Sequence, residues 1–239
     1  MEASLKSSSV YQLDIFGSDV LVAFSGREFS NSRRKSFLKQ IAVSPKSLNL
    51  LQQVHSANLA LVTSDQKPDV NCKADGMLTS EEGVPLGILT ADCVPIFFWD
   101  PDHRVIGIAH AGWRGILQEI APKMIWAFRQ NFASKSTSIR VIYGPAIRKC
   151  CYEVGAEFKE LFPDHYTRVP KVENPEGPEK GYLDMIGAIT DQLIRDGLAA
   201  ENIHDTGICT SCQNDRFFSA RREGGTSERT LSVIQILKK

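Results

Sequence analysis

The chain has 239 residues, with 28 Lys and Arg against 28 Asp and Glu, so its formal net charge is zero. A protein that binds nucleic acid regardless of sequence needs a surplus of cations to neutralise phosphates, and this composition does not supply one. The hydrophobic content of 42% and the charged content of 23% are ordinary for a globular protein and exclude disorder over the whole length.

The sequence also disfavours a membrane-spanning protein and a protein stabilised mainly by disulfide bonds. The most apolar stretch covers residues 84–99 and contains Asp92, so it is shorter than the roughly 20 apolar residues that cross a bilayer. The first residues lack the basic and apolar regions of a secretory signal, and we therefore expect a cytoplasmic protein. Six cysteines are too few for a disulfide scaffold, so each is a core residue, a metal ligand or a nucleophile.

The first half of the chain is predicted to be rich in strands. Apolar runs predict strands at residues 10–16, 20–24, 50–63, 86–89, 94–99 and 105–109. Between the second and third of these, Phe37, Leu38 and Ile41 recur at helical spacing and predict a short helix. Turns are predicted at residues 68–75 and 100–103.

The second half mixes helices and strands. A helix is predicted from near Gly112 to about Phe132, and Pro122 must kink it or open a second segment, because proline removes a helical hydrogen bond. The following elements are a strand at 139–143, a helix at 154–162, a proline-rich loop at 163–181, a helix at 183–195 and strands at 203–208 and 230–237. This order predicts one α+β domain over residues 1–239, with mixed β-sheet layers flanked by helices.

Polar, reactive side chains interrupt the apolar sequence where predicted strands end. His55, Cys93 and His110 together form a plausible set of zinc ligands, with copper also possible, and a fourth position left to water would make the site catalytic. Alternatively, Cys93 is a small buried hydrophobe and the histidines are ordinary core or surface groups. The spacing alone leaves both interpretations open, because one Cys and two distant His match no short metal motif.

Residues 112–115 suggest an anion-binding turn. Glycines on both sides of Trp113 and Arg114 let the backbone approach a ligand closely, and a helix that begins here would direct free N–H groups at an anion. Arg114 would add a guanidinium for phosphate or carboxylate. The alternative is a tight turn between strand and helix, with Trp113 in the core.

A second polar segment covers residues 144–155, where Arg148 and Glu153 are candidates to line a pocket. Cys150 and Cys151 are interpreted as structural, because adjacent cysteines do not easily chelate one tetrahedral ion. The isolated Cys-x-x-Cys at residues 209–212 is interpreted as two ordinary thiols. Surface or ion-paired positions are expected for the remaining candidates: Arg216, Arg221, Arg222, His103, His165 and His204.

Read in order, six blocks of sequence resemble the YfiH-like family, whose members are also called laccase-domain proteins, multicopper polyphenol oxidases and peptidoglycan editing factors. The blocks are QVHS at 53–56, ADGMLT at 74–79, ADCVP at 91–95, HAGWRG at 110–115, GPAI at 144–147 with CYEVG at 151–155, and FFS at 217–219 with RR at 221–222. The resemblance covers nearly the whole chain. Ala220 departs from it, since the family often has an aromatic there, and the 163–181 loop matches no family motif.

The resemblance implies a single α+β domain in which His55, Cys93 and His110 bind one zinc ion. It further implies phosphorolysis of purine nucleosides, namely adenosine, inosine, guanosine and methylthioadenosine, with some adenosine deamination. The partners would be these small molecules and phosphate, with neither nucleic acid nor membrane. A multicopper centre fits poorly, because the chain lacks the paired His-x-His and His-Cys-His clusters that such a centre needs.

In this interpretation Arg114 or Arg148 would help to hold phosphate. Asp92 or Glu153 would move protons during deamination. A ligating imidazole usually donates its second N–H to a carboxylate, and Asp75 and Asp92 are the candidates nearest in the motifs.

Other function classes remain open from the sequence. Cys93 as nucleophile and His110 as base would suit a metal-free cysteine hydrolase or amidase that acts on a peptidoglycan precursor. A copper-dependent polyphenol oxidase and a non-enzymatic partner protein are further alternatives. The preferred nucleoside, the pathway and the oligomeric state do not follow from the sequence.

Overall fold

A computed structural model describes residues 4–7, 9–65, 68, 71–163, 166–168 and 180–238. Its helices are α1 Arg34–Gln40, α2 Trp113–Leu117, α3 Ile120–Phe132, α4 Phe158–Leu161 and α5 Met185–Arg195. Its strands are β1 Ser4–Ser7, β2 Val10–Leu13, β3 Val20–Ser25, β4 Leu59–Leu61, β5 Gly76–Thr79, β6 Leu86–Thr90, β7 Val94–Asp100, β8 Val105–Ala111, β9 Arg140–Tyr143, β10 Glu153–Gly155, β11 Thr167–Arg168, β12 Lys180–Leu183, β13 Ile203–Asp205 and β14 Thr230–Ile236.

The strands of this part of the chain form sheets of five, six and three strands. The five-stranded sheet has the order β1-β2-β3-β14-β6, the six-stranded sheet β13-β9-β7-β8-β5-β4, and the small sheet β10-β12-β11. In the six-stranded sheet β4 runs parallel to β5 and β13 parallel to β9, whereas the other pairs are antiparallel. The predicted α+β class with mixed sheet is therefore confirmed.

The two large sheets pack face to face because their strands are apolar on both sides. In β7, Phe97 and Trp99 belong to the core between the sheets, while Ile96 and Phe98 belong to the core under α3 and α5. On the outer face of the five-stranded sheet, α1 packs through Phe37. This alternation explains why the central strands have continuous apolar sequences. Successive side chains point to opposite faces of the sheet, and both faces are covered by a core.

Most predicted elements are present, but several differ, and the strands β1, β5, β11 and β12 were not predicted. The predicted 112–132 helix is two helices, because Glu119 adopts a left-handed φ of 60° between α2 and α3. Pro122 then lies in the first turn of α3, where its missing N–H costs little. The helix predicted at 154–162 is wrong in its first half, where β10 pairs with β12, and only β4 forms within the predicted 50–63 strand.

Some predictions fall outside these findings. Much of the proline-rich loop at 163–181 lies outside the described residues, as does His165. Among the helices that the structure describes, none is both long and apolar enough to cross a membrane. The single-domain organisation and the cytoplasmic location stay predictions.

Three strand ends meet at one edge of the six-stranded sheet. Pro95 lies opposite His110 in the β7–β8 pair, and Gly76 lies opposite Ala109 in the β5–β8 pair. Because both pairs are antiparallel, the beginnings of β5 and β7 lie beside the end of β8. The short link from β6 to β7 passes from one large sheet to the other at this same edge.

Candidate metal centre

His55, Cys93 and His110 are brought together at this edge. Their ligand atoms all lie within 4.8 Å of one another. The two imidazole rings are 4.8 Å apart between centroids with planes at 75°, and Cys93 Sγ is 3.9 Å from His55 Nε2. His110 is buried and His55 is exposed, so the group of three is open to solvent on the His55 side.

Asp75, which immediately precedes β5, orients both histidines. Its buried carboxylate accepts hydrogen bonds from the backbone N–H groups of Val54, His55 and Ser56 at 3.2, 3.0 and 2.7 Å. One carboxylate oxygen also accepts a hydrogen bond from His110 Nδ1 at 2.8 Å. The expected contact between a carboxylate and a candidate ligand is thus made by Asp75, and it leaves His110 Nε2 to face the site.

Asp92 has a different role. It adopts a left-handed φ of 91° in the link between the sheets. Its carboxylate accepts hydrogen bonds from the Thr210 hydroxyl and the Arg221 backbone N–H, both at 2.7 Å, and its carbonyl accepts one from the Ile147 N–H at 2.9 Å. Asp92 therefore attaches distant segments to the site and supports neither imidazole.

The electrostatics of the group favour a thiolate at Cys93. Burial raises the pKa of the Cys93 thiol, but His110 and His55 lower it by more, to about 6. Burial lowers the pKa of His110, but Cys93 and Asp75 raise it to about 9. Burial likewise raises the pKa of Asp75, and hydrogen bonds from His110 and Ser56 lower it to about 2. The thiolate is the form of cysteine that binds metal ions.

Gly112 provides the space in which the three side chains converge. A Cβ atom at this position would lie 3.0 Å from both Cys93 Sγ and His55 Cδ2. Two imidazole nitrogens and one thiolate are a donor set that suits zinc or copper. The residues present therefore fit a metal ion with an open coordination position.

A cavity of about 590 Å³ adjoins the three side chains. It is lined by Leu51, Gln53, His55, Leu89, Ala91, Asp92, Cys93, His110, Trp113, Arg114, Ile147, Tyr152, Met185, Ala220, Arg221 and Arg229. Arg114 stacks over the Trp113 ring at 4.2 Å, and Arg221 over the Tyr152 ring at 5.1 Å. The cavity therefore combines three arginine residues with apolar walls. The guanidinium of the third, Arg229, donates hydrogen bonds to the Thr226 and Glu228 carbonyls.

Arg221 is exposed, as expected for the arginine cluster, and it also lines the cavity. Asp92 holds the backbone N–H of Arg221, and the Arg221 guanidinium donates a hydrogen bond to the Glu153 carbonyl and stacks over the Tyr152 ring. The sequence did contain a signal for this position, because Arg221 belongs to the FFS and RR block at 217–222 that resembles the family.

Two predicted site residues lie elsewhere. Arg148 donates to both carboxylate oxygens of Asp205 at 2.7 and 2.8 Å and to the Ile208 carbonyl at 3.1 Å. Glu153 pairs with Lys180 at 2.9 Å. Neither is among the described residues that line the cavity. The geometry thus leaves Arg114 as the predicted phosphate-binding arginine that reaches the site, although α2 behind it is only one turn long.

Residues 27–237 match the family model described as multi-copper polyphenol oxidoreductase laccase. A purine nucleoside phosphorylase of Bacteroides thetaiotaomicron is 32% identical over 225 residues, which cover 90% of this chain and 83% of that protein. The adenosine deaminase RL5 of an unknown prokaryotic organism is 30% identical over 235 residues, covering 95% and 87%. The crystal structure of the hypothetical protein YfiH of Bacillus licheniformis has a TM-score of 0.89 at 25% identity and covers 99% of both chains.

Proposed function

Because the chain belongs to the multi-copper polyphenol oxidoreductase laccase family, whose similar members include a purine nucleoside phosphorylase, we propose that it cleaves purine nucleosides with phosphate. The observation that carries this proposal is the arrangement of Arg114, Arg221 and Arg229 around one cavity that ends at His55, Cys93 and His110. The substrates would be adenosine, inosine, guanosine and methylthioadenosine.

Phosphorolysis requires a phosphate dianion held beside the ribose C1′ carbon while the purine leaves. Guanidinium groups bind phosphate with paired, charge-assisted hydrogen bonds. Stacking on Trp113 and Tyr152 restrains Arg114 and Arg221 before substrate arrives, which reduces the entropy lost on binding. The purine would lie against the apolar wall formed by Leu51, Leu89, Ile147 and Met185.

His55, Cys93 and His110 would hold a zinc ion, with copper as the alternative that the donor set also accepts. When bound, the ion would supply Lewis-acid stabilisation to a substrate atom that gains negative charge. The chain itself positions the ligands. Asp75 accepts a hydrogen bond from His110 Nδ1 and so holds His110 Nε2 in a fixed orientation.

Adenosine deamination is proposed as a side activity, following the similarity to RL5. Deamination needs a carboxylate that moves protons. Asp92 is the carboxylate among the described residues lining the cavity, and both of its oxygens already accept hydrogen bonds from Thr210 and Arg221. This arrangement favours phosphorolysis over deamination.

The test measures release of adenine or hypoxanthine from adenosine or inosine as phosphate is titrated, together with the metal content of the protein. We expect His110→Ala and Cys93→Ala to abolish turnover with little loss of stability, because an open catalytic metal site contributes less to folding than a closed one. Arg114→Ala should raise the phosphate concentration needed for half-maximal rate.

The matched control is Arg195→Ala. Arg195 is an exposed arginine that pairs with Glu119 and Asp196, so its removal should leave the phosphate dependence unchanged. Base release that does not require phosphate would contradict the proposal. Amide cleavage by metal-free protein would favour the cysteine hydrolase with a peptidoglycan precursor as substrate, and phenol oxidation by copper-loaded protein would favour the polyphenol oxidase.

A further inference from the structure

A second group of metal-ligating side chains lies outside the candidate centre. Cys150 and Cys151 precede β10, and Cys209 and Cys212 lie in the segment after β13. The four sulfur atoms all lie within 4.8 Å of one another. Cys212 Sγ is 3.3 Å from Cys151 Sγ and 3.6 Å from Cys150 Sγ, although these residues are 61 and 62 positions apart.

This spacing is close to that of thiolates around one tetrahedral ion. The objection from sequence, that the adjacent Cys150 and Cys151 do not easily chelate one ion, therefore does not apply to this geometry, because both sulfur atoms lie near Cys212. Zn–S bonds of about 2.3 Å place the four sulfur atoms about 3.8 Å from one another. All four cysteines are free thiols, and a disulfide would need sulfur atoms at about 2.0 Å. Burial in a core does not explain the group either, because Cys150 and Cys212 are exposed.

The backbone holds the two segments together independently of the sulfur atoms. The Ala146 N–H donates to the Ile208 carbonyl at 3.2 Å, and the Thr210 N–H donates to the Ala146 carbonyl at 3.1 Å. Ala146 and Cys209 thereby form a parallel β-bridge. The cysteines are thus preorganised by the fold, which lowers the cost of assembling them around an ion.

Backbone donors also support charge on Cys209. The backbone N–H groups of Cys212 and Arg148 donate hydrogen bonds to the Cys209 sulfur. Backbone N–H groups directed at a ligand sulfur provide the outer support that metal ligands generally have.

We propose that Cys150, Cys151, Cys209 and Cys212 bind a structural zinc ion, separate from the ion at His55, Cys93 and His110. Four thiolates fill a tetrahedral coordination sphere and leave no position for substrate. The ion would join two segments that build the cavity: Tyr152 follows Cys151 and lines the cavity, and Thr210 follows Cys209 and binds Asp92. This proposal does not depend on the reaction catalysed.

The test counts zinc ions per chain by elemental analysis of the full-length protein purified with a reductant. We expect two zinc ions in the unaltered chain and one in Cys212→Ser. The triple variant His55→Ala, Cys93→Ala and His110→Ala should also retain one. Cobalt substituted into this triple variant should show the intense charge-transfer absorption of four thiolate ligands. Cys72→Ser, which alters a free cysteine outside both groups, should retain two.

Three results of the metal analysis would overturn the proposal: two zinc ions in Cys212→Ser, no zinc in the triple variant, or iron in place of zinc. A disulfide from Cys212 to Cys150 or Cys151 in protein purified with the reductant would also overturn it. Should Cys212→Ser not fold, the zinc content and cobalt spectrum of the triple variant decide. Because every measurement is of metal, the outcome is independent of whether nucleosides are cleaved.

Discussion

A single carboxylate, that of Asp75, connects the fold to the candidate metal centre. We expect Asp75→Asn to lower zinc affinity by about 10- to 100-fold, the usual effect of removing the partner of a ligating imidazole. The variant should also lose about 1–3 kcal/mol of unfolding free energy, because three backbone N–H groups lose a charged acceptor. Zinc competition titration and denaturant unfolding measure the two effects.

Asp100 offers a matched control for that substitution. Its buried carboxylate accepts a hydrogen bond from His103 Nδ1 at 2.8 Å, the same contact that Asp75 makes with His110. Neither Asp100 nor His103 lines the cavity. Asp100→Asn should therefore lower stability without changing zinc affinity, and equal losses of affinity in both variants would show that Asp75 has no special role.

Glu223 makes stability depend on pH. Hydrogen bonds from Arg27, the Ser219 backbone and Asn214 outweigh partial burial and lower the pKa of Glu223 to about 2. Because the folded pKa lies below the unfolded value of about 4.3, the stabilisation is full above pH 4.3 and is lost as the pH falls toward 2. The side chains of Glu223 and Arg27 are 21% and 36% exposed, so we expect only about 1–2 kcal/mol after solvent screening.

The measurement is the difference in unfolding free energy between the unaltered chain and Glu223→Gln across this pH range. The difference should be largest near neutrality and vanish near pH 2. Glu119→Gln is the control, because its pair with Arg195 is exposed on both sides and should contribute little at any pH. A difference that grows with falling pH would contradict the prediction.

His55, Cys93 and His110 were singled out because they interrupt apolar sequence at predicted strand ends. The spacing left a structural interpretation equally open, and the family resemblance favoured metal binding. Arg221 was assigned to a solvated cluster, because nothing local in its sequence shows that Asp92, 129 positions away, holds its N–H. Arg148 was assigned to the pocket, but the structure pairs it with Asp205. Local pattern identifies which residue types are reactive, whereas tertiary hydrogen bonds decide which of them reach the cavity.

At the scale of elements, α3 ends on a residue that fits its conformation poorly. Ala133 has a left-handed φ of 54° just beyond the helix, and Ser134 N–H bonds back to the Phe128 carbonyl, as in the motif where glycine is normally found. We expect Ala133→Gly to raise the unfolding free energy by about 0.5–1 kcal/mol, because relief of the left-handed strain exceeds the added entropy of the unfolded chain.

Gln130→Gly, in the last turn of the same helix, is the control for that change. Gln130 is exposed and helical, so glycine there should lower stability by about 0.5–1 kcal/mol. Thermal unfolding of both variants tests whether Ala133→Gly raises the unfolding free energy and Gln130→Gly lowers it. Equal destabilisation by both substitutions would mean that the strain at Ala133 is negligible.

Elements were predictable where one periodicity dominated. The runs at 94–99 and 105–109 match β7 and β8 because both faces of these strands enter cores, which leaves an apolar run too short for most helices. The 154–162 segment was predicted as one helix, but only Phe158–Leu161 is helical. The first part of the segment is a strand because Val154 pairs with Gly181 in β12. The local sequence around Val154 contains no signal of that distant pairing.

At the scale of the whole molecule, the hydrogen bond between Thr210 and Asp92 connects segments 118 positions apart. Thr210→Val keeps the shape of the side chain and removes the hydroxyl, so a buried carboxylate loses a donor, at a cost of about 1–3 kcal/mol. Because Asp92 also holds the Arg221 N–H, we expect a higher KM for phosphate with unchanged metal content at His55, Cys93 and His110. Steady-state kinetics and elemental analysis separate these effects.

Thr206→Val is the control, since the buried Thr206 hydroxyl has no hydrogen-bond partner within the described structure. Its removal should be neutral or stabilising and should leave KM unchanged. A rise in KM in both variants would mean that any change in the segment after β13 weakens phosphate binding, and that the Thr210–Asp92 hydrogen bond has no specific role.

The four-cysteine group shows why contacts between residues far apart in the sequence are not predicted from local sequence patterns. Each pair alone resembles ordinary thiols, and tertiary contacts bring the pairs together, among them the Ala146–Cys209 bridge and the hydrogen bonds of Arg148 to Asp205 and Ile208. Fold class, by contrast, follows from composition and element order, which are properties of the whole chain.

The position of β14 bears on how the chain is made. This strand pairs with β3 on one side and β6 on the other, yet it is translated after every other strand described. A nascent chain therefore carries β3 and β6 with unpaired edges until more than 220 residues have been synthesised. Exposed edges of apolar strands are sites of aggregation. We therefore expect the yield of folded protein to rise when those edges are shielded until β14 is complete.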